Sequence, residues 1–336
     1  MKKLLIAVLS LSLGFGASFA WGEEKSEETL QKKAATILTK IKRKAKEDVF
    51  STLTIENDMF SSGRDENYTS GVRATWYNIG GSSENLQTFI ETFVPSYKFN
   101  ETTSTYYTVG QNIYTPRDIS LSVLQPEDRP WAGLLYGTMG LNTITKNHVD
   151  DIALTLGVVG PAALGKETQT LVHEARGISS PQGWEHQLKN EPGFVLSMRR
   201  RWPTQFEQDI GSSYFSAGPS VNFSLGNIYT HLGAGLNWRL TPEGSVWQDA
   251  PITVDPNMPG SGIFLTEDNK LGWMLFGGIE GRLVGRNIFL DGNSFRHSHS
   301  VRKKSFVLDA RVGISFSFFD KARISYTVVH RTKEFY

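Results

Sequence analysis

The chain has no cysteine, so no disulfide can brace it. It also lacks charge of one sign: 35 Lys and Arg stand against 34 Asp and Glu, with no basic block among them. That balance excludes the electrostatic footprint of a nucleic-acid binder. Beyond the amino terminus no run approaches the ~18 consecutive apolar residues of a membrane-spanning helix. Internal repeats and low-complexity segments are missing too. What remains is aromatic and glycine-rich, with 8 Trp, 11 Tyr, 20 Phe and 32 Gly in 336 residues.

The first twenty residues have a basic start (Lys2, Lys3), an apolar middle and small residues at Ser18 and Ala20. This is the pattern of a secretory signal peptide cleaved after Ala20. Its removal leaves 33 basic against 34 acidic residues, a formal charge of −1. Residues 21–48 form a charged leader in which Leu30, Ala34, Ile37, Leu38 and Ile41 recur at helical spacing, an amphipathic helix ahead of the main domain. From Val49 to residue 336 the period changes to two.

Eleven strands are expected: Val49–Asp58, Thr69–Ile79, Thr105–Ile113, Gly133–Thr143, Asp151–Val159, Gly193–Trp202, Ser212–Leu225, Tyr229–Leu240, Trp273–Gly285, Ser305–Phe318 and Ala322–Thr332. In the penultimate strand Leu308, Ala310, Val312, Ile314, Phe316 and Phe318 make an apolar face. Val307, Asp309, Arg311, Gly313, Ser315 and Ser317 make a mixed to polar one. An exported, cysteine-free chain of this kind fits an all-β, antiparallel outer-membrane barrel, apolar outside and polar inside. A soluble barrel would carry the same alternation with the faces exchanged. Connections 114–131, 160–192, 241–271 and 287–303 are long, whereas 144–150, 226–228 and 319–321 are short. Long loops on one side and short turns on the other are the outer-membrane pattern, so chemistry is expected on the long-loop side.

Four islands exceed what a barrel wall requires. In the first, Asn57 and Asp58 end one strand and Thr69 opens the next, so a hairpin gathers them at one rim. A carboxylate, an amide oxygen and a hydroxyl or backbone oxygen are hard donors of the kind calcium accepts. An Asx turn would use the same residues for local hydrogen bonds. The second runs from Gln111 through Tyr114-Thr115-Pro116 to Asp128-Arg129-Pro130-Trp131-Ala132-Gly133. Arg129 can grip a phosphate through its planar fork or pair with Asp128.

The third island leaves a strand at Gly157, breaks at Gly160-Pro161 and enters a helix over Lys166 to Ala175. Gln169 and His173 lie four residues apart on one helical face. Histidine's ordinary pKa, about 6.5, lets it accept a proton near neutrality. An ordinary solvated histidine on a surface helix is the plainer alternative. Pro181 to Leu188 continues the island, with Trp184 read as packing. The fourth island is the turn-rich segment from Asn287 through Asp291-Gly292-Asn293 to Ser300.

Taken in order, Glu56-Asn-Asp-x-Phe with Tyr68-Thr-x-Gly, Gln111-x-Ile-Tyr-Thr-Pro, Asp128-Arg-Pro-Trp-Ala-Gly, Gly157-x-Val-Gly-Pro with Gln169-x-x-x-His173, Gly183-Trp-x-x-Gln187-Leu and Leu290-Asp-Gly-Asn resemble the lipid A 3′-O-deacylase family of Gram-negative outer membranes. The resemblance runs from about Phe50 to the carboxyl terminus. It implies a twelve-stranded, monomeric barrel in the bilayer of the outer membrane, with its site at the exterior rim between the wall and a loop helix. It further implies hydrolysis of a 3′-linked acyl or acyloxyacyl ester of lipid A within lipopolysaccharide. Carried over by position, Ca²⁺ would sit at Asp58, Asn57 and Thr69. His173 would act on water, with Gln169, Asn57 and Thr69 completing the catalytic set. Arg117 and Arg129 are the candidates for the lipid A phosphates.

The family closes with a further strand after Thr-x-Glu-Phe, whereas this sequence stops at Thr332-Lys-Glu-Phe-Tyr336. Single-chain bacterial barrels have even strand numbers. A strand missed in the reading, ends that meet unconventionally, or a lost last strand would each account for eleven. Two other functions stay open at this point. One is a serine-type outer-membrane phospholipase using His297 or His299 with Ser298 or Ser300. The other is a non-catalytic, pore-forming or inactive barrel.

Overall fold

The structure, a computed structural model, describes residues 49–57, 67–79, 84–94, 96–242, 271–318 and 322–336. The signal peptide and helical leader expected over residues 1–48 lie outside the described residues, as does Asp58.

One antiparallel sheet makes up the body. Its strands are β1 (Val49–Asn57), β2 (Asn67–Ile79), β3 (Ser104–Thr115), β4 (Ala132–Ile144), β5 (Val149–Val159), β6 (Glu191–Arg201), β7 (Phe206–Ile210), β8 (Ser213–Gly226), β9 (Tyr229–Pro242), β10 (Leu271–Asn287), β11 (Phe306–Phe318) and β12 (Ala322–Arg331). Each pairs with its sequence neighbour except around β7. There β6 pairs the second half of β8 from Ser220 to Gly226, and β7 pairs the first half from Ser213 to Ala217. β6 and β7 therefore occupy one wall position, interrupted where Trp202 donates its backbone N–H to Pro219 O. The twelfth strand thus adds no wall position, and the wall runs through eleven. Among the described residues no ladder joins β12 to β1.

The alternation settles which face is inside. On β3, Tyr106, Thr108, Asn112 and Tyr114 are buried, while Tyr107 and Val109 between them are exposed. On β11, Ser315 and Ser317 are buried and Val312 and Phe316 are exposed. Apolar side chains point out all round the wall, from Leu53 and Val72 through Met139, Leu156, Phe194 and Leu232 to Ile324. Exposing that much apolar surface to water would be costly, whereas lipid tails accept it. The wall is a membrane wall.

Contacts across the interior show the sheet curled on itself. The hydroxyls of Tyr114 on β3 and Tyr229 on β9 are 2.6 Å apart. Arg199 on β6 reaches Glu280 on β10 at 3.4 Å. Near one rim, Tyr114 stacks on Phe289 at 3.8 Å, within a cluster that includes Leu134, Tyr136, Val195 and Ile288. Phe289 belongs to a short helix, α3 (Ile288–Asp291), capped by Asn287 through its side-chain oxygen. Aromatic pairs of this kind add about 0.5–1.5 kcal/mol beyond their buried area, so this end of the lumen is plugged.

Strand parity assigns the connections to rims. At one rim β1 ends and β2 begins, and so do the pairs β3–β4, β5–β6, β8–β9 and β10–β11, with the tail leaving β12 there too. At the other rim lie the ends joining β2 to β3, between which stands the helix α1 (Glu84–Phe93), and those joining β4–β5, β7–β8 and β11–β12. β9 ends and β10 begins at that second rim although the sequence between them is long, whereas the short β8–β9 turn lies at the first. The expected segregation of long from short connections is therefore corrected: length does not identify the site rim, and parity does.

Candidate active site

The long β5–β6 connection forms the outer shell of the site rim. Gly160, at φ 101°, turns the chain out of β5 where a Cβ would strike the backbone of Lys189 and Asn190. Leu164 then adopts φ 58°, a left-handed conformation rare for a branched residue. The helix α2 (Gly165–Ala175) starts immediately after it. Gly165, Gln169 and His173, four apart, make the buried face of α2.

This helix sits outside the barrel. Gly133, Leu135, Gly137 and Met139 alternate with the inward Leu134 and Tyr136 on β4, so Gly133 faces outward, as does its partner Ile113 on β3. Gly133 approaches Gly165 so closely that a Cβ on it would lie 3.1 Å from Gly165 N. Ile113, an outward residue, is nonetheless buried, because Trp131, Trp184 and Ile119 cover it. The two indoles are tilted at 5.0 Å. Gln111, also outward, donates its Nε2–H to Ala163 O at 2.7 Å. A small second core therefore lies on the lipid side of the wall, with α2 as its lid.

The two buried polar side chains of α2 are fixed by this core. Gln169 is 4 % exposed, and its Oε1 accepts a hydrogen bond from Trp184 Nε1–H at 2.9 Å. Its Nε2 is buried with no protein partner. A buried N–H group left this way loses the free energy that hydration would give it. His173 is 5 % exposed, and its Nδ1 lies 2.8 Å from Ser179 O. A carbonyl oxygen can only accept, so Nδ1 carries the hydrogen, and the lone pair of the neutral ring belongs to Nε2. The pair thus presents one aligned donor and one imidazole base.

The hairpin residues reach the same rim by backbone register. Asn57 pairs with Ser70, and Ser70 with Ile113, which lies beneath Trp184. The ladder slips between Tyr68 and Ser70, making Thr69 the extra residue of a β-bulge. Bulges recur beside active sites because they re-aim a side chain. So β1, β2 and α2 bring the backbones of Asn57 and Thr69 and the ring of His173 to one end of the wall. Among the described residues no group of three or more His, Asp or Glu side chains gathers as a metal cluster.

The surroundings of two further candidates are as follows. Arg129 is 1 % exposed, and its guanidinium is held by Glu334 at 2.7 Å, with the rings of Tyr114 and Phe335 at 5.7 Å. Its side chain is thus turned into the rim toward Glu334 instead of lying exposed at the surface. Asp128 accepts from the backbone N–H groups of Arg117 and Arg129. The Thr332-Lys-Glu-Phe segment that carries Glu334 folds back over residues 302–304, with Phe335 bridging Lys303. In the His-Ser run, Ser298 Oγ accepts from Asn293 N–H, and His299 Nε2 meets Asp128 O at 2.7 Å. Arg117 remains an exposed rim residue.

Matched against family models, residues 9–336 fit the one described as outer membrane protein LpxR. The chain belongs to the LpxR family. This is the family of outer-membrane lipid A deacylases whose motifs the sequence resembles. Among solved structures the chain is similar to LpxR from Salmonella typhimurium, with a TM-score of 0.66 at 20 % identity, covering 86 % of this chain and 94 % of that one. No sequence among the curated proteins matches. The shared fold agrees with a membrane barrel.

Proposed function

We propose that this LpxR-family protein hydrolyses the ester that links the 3′ acyl or acyloxyacyl chain to lipid A, on the cell exterior of the outer membrane. The observation that carries the reading is the buried face of α2. It holds an oriented imidazole and an unpartnered amide donor against the lipid side of the wall.

A substrate whose acyl chains stay in the leaflet would bring its ester to this face without leaving the membrane. His173 Nε2 accepts a proton from water as the water oxygen bonds to the ester carbon. General base help of this type contributes about 10²–10⁴ in rate. Negative charge builds on the carbonyl oxygen, and Gln169 Nε2–H, buried without a partner, is the candidate donor to it. When the tetrahedral carbon collapses, its bond to the sugar 3′ oxygen breaks. The imidazolium returns its proton to that oxygen, giving a free fatty acid and a 3′ hydroxyl.

The donor set Asn57, Asp58 and Thr69 consists of hard oxygens and no thiolate or imidazole, so it fits Ca²⁺ better than a softer metal. Those three residues would hold the ion, and bound there it would add positive charge beside the carbonyl oxygen. Arg117 stays the candidate for a lipid A phosphate. The reading is tested by incubating purified protein with lipid A and measuring released fatty acid before chelation, after chelation and after Ca²⁺ is restored. Loss on chelation and recovery with Ca²⁺ are expected; a rate indifferent to chelator refutes the metal's part.

A further inference from the structure

The outward face of α2 is apolar, and among the described residues nothing covers it. Leu171 lies on the side opposite His173 and is 67 % exposed, with Leu164 and Val172 beside it, also exposed. Lys166, Glu167, Glu174 and Arg176 flank that stripe. A second apolar cluster stands next to it in the β3–β4 connection, where Val123 is 62 % exposed between Leu121 and Leu124. The two clusters are tied together: Gln182 N–H bonds Ile119 O, and His186 Nε2 meets Ser122 O at 3.1 Å. Both rest on the outer side of β3 and β4 through Ile113, Gly133, Trp131 and Trp184.

The same outward faces of β3, β4 and β5 carry Tyr107, Val109, Met139, Leu154 and Leu156 of the lipid-facing belt. Ile113 lies four residues beyond Val109, about 13 Å further along the strand. The apolar belt therefore runs up to the loop and the helix, with Gln111 between Val109 and the covered Ile113. A helix with one apolar stripe, charged flanks and little net hydrophobicity is built to lie in the plane of a bilayer interface.

We infer that α2 and residues 121–124 are embedded in the outer leaflet, forming a lipid-bathed platform through which substrate reaches His173 sideways from the membrane. The occupant of this surface is the acyl region of a bilayer. The inference rests on the membrane-barrel reading and deepens the proposed function, but it does not depend on hydrolysis.

Because the chain has no cysteine, single-cysteine variants can be labelled at will. Leu171→Cys and Val123→Cys would carry an environment-sensitive fluorophore in vesicles doped with spin-labelled phospholipid. Leu156→Cys on the belt and Lys333→Cys on the tail serve as references, and heat-modifiable gel mobility confirms that each variant is folded. Quenching at Leu171 and Val123 should reach at least half that at Leu156 and exceed that at Lys333 several-fold. Quenching at the Lys333 level overturns the inference, as does shielding that is equal in undoped vesicles, which would mean a protein covers the surface. The readout needs no turnover, so an inactive but embedded protein would sink the proposed function and leave this inference standing.

Discussion

Replacing Gly165 with alanine asks whether the seat of α2 on the wall matters to the chemistry. The new Cβ would lie 2.9 Å from Trp184 Cη2 and 3.1 Å from Gly133 Cα. Carbon atoms settle at about 3.5–4.0 Å, so one side must give by roughly 0.8 Å. Trp184 is poorly able to move, being buried, packed on Trp131 and bonded to Gln169. Gly133 is locked in the β3–β4 ladder. The helix is therefore displaced outward and takes Gln169 and His173 with it. A misplacement near 1 Å costs on the order of 10² in rate, so a fall of about 10- to 100-fold in kcat is expected. The substitution should not weaken the barrel, because the contact lies outside the wall and alanine is up to about 1 kcal/mol better in a helix than glycine. Fatty-acid release from lipid A reads the first effect, and thermal melting followed by circular dichroism reads the second. Full activity in Gly165→Ala would refute the claim that this close approach positions the site.

Trp184→Phe keeps an aromatic ring, though a smaller one, and deletes the N–H that holds Gln169 Oε1; kcat should drop about tenfold with KM nearly unchanged, and steady-state kinetics on dispersed lipid A would show it. Glu334→Ala removes the carboxylate from the buried Arg129 guanidinium and should cost about 3 kcal/mol of stability, seen as a lowered melting temperature. Burial alone would raise the Glu334 carboxyl, but attraction to Arg331 and Arg129 outweighs it and holds the group below its ordinary value. Because the folded value is depressed, the tail contact is fully present above the ordinary glutamate pKa, about 4.3, and is lost as pH falls through the folded value. Glu334→Gln should flatten that acid-side loss in melts taken from pH 3 to pH 7.

The wall was legible because a strand repeats with period two, and every expected strand from Val49 to Thr332 lies within three residues of an observed one. Which face met lipid was not legible on β11, since its alternation reads the same in either sense; burial of Ser315 and Ser317 decides it. β7 escaped because Trp202 and Pro203 break the pattern of one wall strand into two pieces. α1 was passed over, although Leu86, Phe89, Ile90 and Phe93 recur at helical spacing.

The helix bearing Gln169 and His173 could be read from local signals: a Gly-Pro break, helix-forming residues and an i, i+4 pair. Its position outside the barrel could not, because that depends on Gly133 meeting Gly165 and on Ile113 being covered from elsewhere. The buried setting of Arg129 could not be read for a similar reason. Its partner Glu334 is 205 residues away, and no local pattern distinguishes a rim arginine from a buried one.

The most direct test is the mass of the lipid itself. Lipid A incubated with the folded wild-type protein should lose the mass of its 3′ acyl or acyloxyacyl group. With His173→Ala at equal folded amount, it should stay intact or react at least about 10²-fold more slowly. Lipid A that is unchanged by the wild type, or cleaved equally fast by His173→Ala, would contradict the account.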